Sequence, residues 1–455
     1  MNASAVSVPA ERLTEFMGAR GVEVVTTEWR VLAGGRAAET VLVALEVEGR
    51  EEQWVVRLEP EQGPTHGIAL STQQHFELLQ ALSAVDVAAP DPVVMSRHSD
   101  TFGRPFMITK YSPGDVPSPW SARGRALIGS EPARTTLPAS YARTLATIHA
   151  TPLDALPASL PRMTRPNPFL AETDRWTGLV ARSRFARDPL LEFAGLWLNQ
   201  HPINSGRRGL VHGDYRLGNL VLDQGNITGV LDWEMATIGD PLMDLGLLCS
   251  PPVLADWRSA GLGSVNEVID HYEECTGTVV ARSDLRTLTV LSTLKIVALW
   301  INGADGLSSD DPNPDALRAA LSALEARPML AEALGLSETK DLAAMDSARS
   351  MWIAELKAEL KSMRSAVEPD RSRLKQLLAH SPEPDHMIVD WFQTRLNVLA
   401  KSMSVERENL DVAAQLSLMT HRLLADPDSV DSNDRVALEQ LVAASAHVDV
   451  TVLPW

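Results

Sequence analysis

Residues 210–246 read LVHGDYRLGNLVLDQGNITGVLDWEMATIGDPLMDLG, and this stretch determines how the rest of the chain is interpreted. Asp214 and Asn219 are five residues apart, and Asp232 follows thirteen residues later. Short apolar runs of strand type stand beside each of these three residues. The pattern predicts a catalytic loop, a hairpin and a strand end that bring three polar side chains to one point.

Phosphoryl transfer is the chemistry that fits this spacing. A carboxylate can accept the proton of an attacking hydroxyl, while an amide and a second carboxylate hold Mg²⁺ against the phosphates of ATP. Mg²⁺ prefers oxygen ligands and retains water, so one Asp and one Asn suffice when ATP supplies the rest. We interpret Asp214 as the general base and Asn219 and Asp232 as the metal ligands, with Arg216 orienting the loop or the acceptor.

Each of these residues also has a structural alternative. A single Asp often caps a turn, a helix or a loop after a strand. For any one Asp the capping role is favoured, whereas for the whole constellation at this spacing phosphotransfer is favoured. A kinase-like fold without activity is the second alternative.

The motifs HGDYRLGN, LDWE and GDPLMDLG together resemble the aminoglycoside phosphotransferase family, which is kinase-like and related to choline kinases. Within that family they resemble the branch joined to acyl-CoA dehydrogenases, and the resemblance covers roughly residues 22–328. HGD stands where protein kinases have HRD, and LDW where they have DFG. The resemblance implies an α+β fold with two lobes, protein-kinase-like, in which an antiparallel sheet precedes a mostly helical lobe. It also implies ATP and Mg²⁺ as cofactors.

The N-terminal lobe is predicted from its alternating apolar residues. Gly34 and Gly35 would form the turn that covers the phosphates, although an ordinary hairpin is an equal alternative. The resemblance implies that Arg57, at the end of the third strand, contacts the phosphates; a surface arginine is the alternative. The predicted strands are residues 22–31, 40–48, 53–58, 93–96 and 105–111.

A helix is predicted over residues 71–84, with Phe76, Leu79 and Leu82 on one face. The family has a Glu on this helix that pairs with the basic strand residue, but His75 stands at that position here. This departure predicts that Arg57 lacks its carboxylate partner, unless a shifted register lets Glu77 replace it.

The family resemblance places the adenine base beside Thr109, Lys110 and Tyr111 at the junction of the two lobes. A core aromatic is the alternative for Tyr111. The resemblance further implies that the second Asp of GDPLMDLG, Asp244, holds the catalytic loop. Asp240 either belongs to the same arrangement or caps a helix that begins at Pro241.

The composition indicates an acidic chain, since 59 Asp and Glu oppose 41 Lys and Arg, giving a formal charge of −18. This charge argues against nucleic acid or an anionic membrane as the main partner. Cys249 and Cys275 are the two cysteines and form no metal-binding pattern. No secretory signal is recognised at the N-terminus, so we expect a cytoplasmic protein.

Three domains are predicted: an N-terminal lobe over 1–111, a C-terminal lobe over 112–333 and a helical bundle over 334–455. In the second lobe, helices are predicted at 137–149, 171–184, 189–199, 265–276, 283–300 and 314–325. For the bundle three roles stay open: gating the acceptor site, forming a homodimer, or binding a partner.

The function predicted is an ATP-dependent phosphotransferase that acts on a hydroxyl of a small molecule. The acceptor is a metabolite or a hydroxyacyl-CoA-like compound, with an antibiotic less favoured. The alternative is a catalytically weak, nucleotide-binding regulatory or scaffold module, which the combination of Arg57 with His75 favours.

Overall fold

The computed structural model describes residues 10–32, 39–61, 63–85, 87–98, 100–119, 121–183, 189–249, 262–304 and 314–335. The chain divides into two compact units. The first comprises Met1–Thr164 and Asn204–Arg282, and the second Arg165–Ile203 and Ser283–Trp455. Gly34, Gly35 and almost all of the predicted bundle over 334–455 lie outside the described residues. The three domain boundaries therefore stay predictions.

The first unit opens with a five-stranded antiparallel sheet whose strand order is β1-β2-β3-β5-β4. Alternate residues of the central strands, among them Val43, Trp54 and Val56, are buried in one apolar core. The elements are α1 (Ala10–Gly18), β1 (Val24–Val31), β2 (Thr40–Val47), β3 (Arg50–Leu58), α2 (Thr72–Ser83), β4 (Pro92–Ser96) and β5 (Phe106–Lys110). This sheet confirms the predicted N-terminal architecture.

β3 begins three residues before the predicted start. Val47 pairs with Arg50, so only two residues connect β2 to β3. Both have positive φ, 48° at Glu48 and 80° at Gly49, which is the type I′ turn that suits a twisted hairpin. Because of this turn, the charged residues 50–52 also pair with β2. They are not predicted as part of a strand because they lack apolar residues.

α2 forms where it is predicted, but its buried face differs. Ser71 and Gln74 make a capping box at its start, which satisfies free N–H groups of the first turn. The buried residues are Thr72, His75, Leu78, Leu79 and Leu82, whereas Phe76 is only partly buried. Of the three residues predicted to share a face, Leu79 and Leu82 are buried and Phe76 is at its edge, and a histidine occupies the centre of the buried face.

The remainder of the first unit holds residues 210–246 between helices. β7 (Leu220–Asp223) and β8 (Asn226–Val230) form the predicted hairpin, and β6 (Gly209–Val211) pairs with β9 (Thr237–Gly239). The helices are α3 (Ala122–Ile128), α4 (Glu131–His149), α7 (Gly246–Cys249) and α8 (Val265–Thr276). α4 starts six residues before its predicted start, because Pro132 lies in the first turn, where a missing N–H costs nothing.

The second unit is helical where it is described. α9 (Asp284–Gly303) packs against α10 (Pro314–Ala333), α5 (Pro168–Ala181) and α6 (Pro189–Gln200). Large side chains fill this core, among them Trp176, Phe193 and Leu294. α10 continues eight residues past its predicted end, through Pro328. None of the helices in the described ranges is both long and apolar enough to cross a bilayer.

Gly114 lies where the loop after β5 contacts the β7–β8 hairpin. Its φ is 135°, and an added Cβ would lie 2.7 Å from the carbonyl oxygen of Leu222. The adjacent Asp115 exchanges two backbone hydrogen bonds with Leu222. We expect Gly114→Ala to lower the free energy of unfolding by roughly 2–4 kcal/mol in urea titrations.

Gly103→Ala is the matched control, because Gly103 also has positive φ but no atom within 4 Å of an added Cβ. It should cost only about 1 kcal/mol, the strain of the backbone alone. Equal losses for the two variants would contradict the close contact at Leu222.

Candidate active site

Asp214 is held by the two residues that the sequence places beside it. Its Oδ2 accepts a hydrogen bond from Nδ2 of Asn219 at 2.7 Å, and both carboxylate oxygens accept from Nε of Arg216 at 3.1 Å. Nδ2 of Asn219 also donates to the backbone oxygen of Asp214 at 2.9 Å. The carboxylate is thereby fixed in orientation, and its side chain remains 31% exposed.

His212 links this loop to the strand end that carries Asp232. The backbone N–H of Asp214 donates to Nδ1 of His212 at 3.1 Å, so Nε2 carries the proton and donates to the carbonyl of Leu231 at 2.9 Å. The N–H of Leu231 donates in turn to the carbonyl of Asn219 at 2.7 Å. Burial lowers the pKa of His212, although nearby carboxylates oppose the shift, which agrees with a neutral ring.

Asp232 follows β8 in the left-handed conformation, with φ 58° and ψ 52°. Partial burial acts to raise the pKa of its carboxyl, but the Arg57 and Arg216 cations outweigh that effect and lower it. Its side chain is 43% exposed. Oδ2 of Asp232 and the amide oxygen of Asn219 are hard oxygen donors, so the side chains present suit Mg²⁺ completed by phosphate and water.

Asp244 holds the backbone of the loop that carries Asp214, as the resemblance implies. Its carboxylate accepts hydrogen bonds from the backbone N–H groups of His212 at 2.7 Å and Gly213 at 2.8 Å. It also lies 3.1 Å from Nε2 of His149, whose Nδ1 contacts the hydroxyl of Tyr272. Burial would raise the pKa of Asp244, but the hydrogen bonds and charge of the surrounding groups lower it.

Asp240 has the capping role that the sequence left as an alternative. Its Oδ1 accepts from the N–H of Leu242 at 3.0 Å, within a 3₁₀ turn that begins at Pro241. The same carboxylate accepts hydrogen bonds from the backbone and hydroxyl of Ser205. Asp240 thus fixes the turn after β9.

Arg57 has carboxylate partners, so the prediction that it lacks one is wrong. Its Nη1 donates to Oδ1 of Asp232 at 2.6 Å, and its Nη2 donates to Oε2 of Glu234. Glu77 does not compensate for His75, since it accepts instead from Gln73 and Ser159. Glu234 is not predicted from the sequence because its contact with Arg57 spans 177 residues. The only local signal for it is the final Glu of the LDWE motif.

His75 lies in the buried core of α2, 5% exposed. Burial and the nearby Arg57 cation lower the pKa of His75 from 6.5 to about 3, although the Asp232 carboxylate acts in the opposite direction. His75 is therefore neutral near pH 7, and it adds no charge to the carboxylates around Arg57.

Stability is expected to decrease as the pH falls from 6.5 toward 3, because the unfolded chain protonates His75 in this interval and the folded chain does not. One such group contributes up to about 1.4 kcal/mol per pH unit. Urea unfolding of His75→Gln between pH 6.5 and about 4.5 should show a shallower pH dependence than the wild type. His66→Gln, at an exposed site, is the control, and identical slopes for wild type and His75→Gln would contradict the expectation.

The predicted adenine-binding residues lie at the end of β5, where two of their backbone N–H groups already have hydrogen-bond acceptors. The N–H of Lys110 donates to the carbonyl of Asp91, and the N–H of Tyr111 donates to the carbonyl of Gln53. Both donors are therefore used within the sheet, and Thr109 is buried. A purine beside these residues would have to use carbonyl oxygens or the Tyr111 ring. Gly34 and Gly35 lie outside the described residues.

The order of these elements and motifs matches a known family. The sequence profile of the phosphotransferase enzyme family (APH) matches residues 28–284, more than half of the 455-residue chain. The chain belongs to the phosphotransferase enzyme family. That membership confirms the resemblance and the kinase-like fold implied by HGDYRLGN and LDWE.

Relatives of this phosphotransferase-family chain include mouse acyl-CoA dehydrogenase family member 10, 28% identical over 238 residues, which are 49% of this chain and 22% of the relative. Human acyl-CoA dehydrogenase family member 11 is 24% identical over 218 residues, covering 45% of this chain and 27% of the relative. The chain thus spans about a quarter of the length of these curated relatives.

Among solved structures, a putative aminoglycoside phosphotransferase from Ralstonia eutropha has a TM-score of 0.53 and 24% identity, covering 71% of this chain and 97% of that chain. At this identity the likeness supports the phosphotransferase fold and carries nothing about the acceptor.

Proposed function

We propose that this phosphotransferase-family protein transfers the γ-phosphate of ATP to a hydroxyl of a small molecule. The observation that supports it most strongly is the hydrogen-bonded connection of Asp214, Asn219 and Asp232 through His212 and Leu231. Asp214, Asn219 and Asp232 are separate positions in the sequence, and these hydrogen bonds fix them relative to one another. A solvated surface Asp would need no such support.

In this proposal Asp214 accepts the proton of the acceptor hydroxyl. Arg216 and Asn219 fix the carboxylate by hydrogen bonds, so the proton acceptor is positioned before the acceptor arrives. Mg²⁺, when bound at Asn219 and Asp232, would neutralise charge on the phosphates. Arg57 brings a permanent cation to the same point.

For the acceptor we propose a hydroxylated metabolite, with a hydroxyacyl-CoA-like compound as the first candidate. The support is that the curated relatives are named as acyl-CoA dehydrogenases. An antibiotic is a weaker candidate, because residues 151–205 carry no dense acidic cluster in the sequence that would suit a polycationic aminoglycoside. The cytoplasmic location and the homodimer stay predictions.

The test is ATP consumption with Mg²⁺ across hydroxylated metabolites, hydroxyacyl-CoAs and antibiotics. We expect acceptor-dependent turnover with one chemical class and none without added acceptor. Binding of Mg·ATP without turnover on any acceptor would instead favour the regulatory module. The sequence feature that favours that module is the combination of Arg57 with His75, and the pairing of Arg57 with Glu234 weakens this argument.

A further inference from the structure

Arg57 receives both of its carboxylate partners from the segment that follows β8. Asp232 and Glu234 contact separate nitrogens of its guanidinium group. The Arg57 and Glu234 side chains are 17% and 11% exposed, whereas that of Asp232 is 43% exposed. Glu234 is therefore the more enclosed of the two partners and the less accessible to a bound cation.

The backbone of Glu234 also holds the segment that leads into α2. Its carbonyl accepts a hydrogen bond from the N–H of Leu70 at 2.8 Å, one residue before the Ser71 cap of α2. Glu234 itself lies in a 3₁₀ turn between the buried Trp233 and Met235. Its position is thus fixed by the buried side chains of Trp233 and Met235, which suits a residue that must orient Arg57.

His75 lies on the buried face of α2, four residues after the Ser71 cap. The residue before that cap, Leu70, is bonded to the Glu234 carbonyl, so His75 lies about one helical turn beyond this attachment. A carboxylate at position 75 would add a third negative charge around one arginine. Burying an unpaired charge is costly. While Glu234 pairs with Arg57, a neutral side chain at position 75 avoids this cost; without Glu234, a carboxylate at position 75 would have Arg57 to pair with.

We propose that Glu234 is the positioning residue that holds Arg57 at the nucleotide site, in place of a carboxylate on α2, and that positions 234 and 75 are interchangeable as carriers of that charge. The inference rests on the proposed function. Once Asp232 engages a cation, Glu234 is the carboxylate that still pairs with Arg57. The Arg57 guanidinium then keeps its orientation toward the phosphates, even when Asp232 no longer pairs with it.

The experiment is a charge-relocation cycle read by Mg·ATP binding in calorimetry, which needs no acceptor. Wild type, Glu234→Gln and the double variant Glu234→Gln with His75→Glu are compared, and thermal unfolding confirms that each is folded. We expect Glu234→Gln to weaken Mg·ATP binding about tenfold or more, and the double variant to recover most of that loss. Where an acceptor is known, KM for ATP should change more than kcat.

Glu77→Gln is the matched control, since it removes a carboxylate from the same helix that contacts Ser159 and not Arg57. It should bind Mg·ATP as the wild type does. If Glu234→Gln fails to fold, Glu234→Asp replaces it, because the shorter side chain should weaken binding and His75→Glu should again restore it.

Two results would overturn the inference: Glu234→Gln binding as tightly as the wild type, or a double variant no better than the single one. Neither would affect the proposed function, which requires only that the wild type bind Mg·ATP and turn it over. A wild type that does not bind Mg·ATP would overturn both.

Discussion

Asp214→Asn is expected to lower kcat by about 10²–10⁴-fold, the range for loss of a positioned general base. The carboxylate is the proton acceptor in this account, and an amide cannot replace it in that role. Asn219 and Arg216 both donate to Asp214, so an introduced amide group would also present hydrogens to one of these donors. Mg·ATP affinity should change little, because Asn219 and Asp232 are retained. The measurement is steady-state turnover with the acceptor found in the library, beside calorimetry of nucleotide binding.

Asp223→Asn is the control for this substitution. Asp223 ends β7, in the same hairpin, and is exposed, so its charge is removed without touching the catalytic loop. We expect kcat within about twofold of the wild type, as for surface substitutions away from such contacts. An Asp214→Asn variant that turns over like Asp223→Asn would exclude Asp214 as the base.

Asp244→Ala is expected to cause the largest loss of stability. Asp244 is 2% exposed and accepts from two buried backbone N–H groups as well as contacting His149. Its removal leaves these groups without their acceptor, which costs roughly 3–5 kcal/mol for a broken buried pair. Thermal unfolding should show Tm lower by roughly 10 °C for a unit of this size. Turnover should also fall, because His212 and Gly213 lose the group that fixes the loop.

The matched control for this loss is Asp270→Ala. Asp270 also pairs with a basic side chain, Arg282, but its own side chain is 61% exposed. Exposed ion pairs contribute about 0–1 kcal/mol, so its Tm should stay close to that of the wild type. A loss at Asp244 no greater than at Asp270 would mean that the buried hydrogen bonds do not stabilise the loop.

The catalytic stretch could be predicted from the sequence because its contacts are local. Asp214 and Asn219 are neighbours in one loop, and the hairpin β7–β8 is closed by the short turn at Gln224 and Gly225. The same holds for the strands of the N-terminal sheet, whose apolar residues alternate. Local patterning carries enough information wherever partners are a few residues apart.

The missed features depend on distant parts of the chain. Arg57 meets Asp232 and Glu234 across 175 and 177 residues, and no local pattern reports such a contact. The use of the Tyr111 N–H by Gln53 likewise follows from strand pairing and not from the residue itself. The early start of α4 is a different case, because it depends on the local position of Pro132 in the first turn, where a proline is compatible with a helix.

The most direct test of the account is ³¹P NMR of the wild-type protein with Mg·ATP and the acceptor that emerges from the library. The γ-phosphate signal is expected to be replaced by a phosphate monoester on the acceptor and by ADP in equal amounts, and Asp214→Asn should produce neither at a comparable rate. Release of inorganic phosphate alone, or an unchanged ATP spectrum in the presence of every acceptor class, would contradict the claim that this site phosphorylates a hydroxyl.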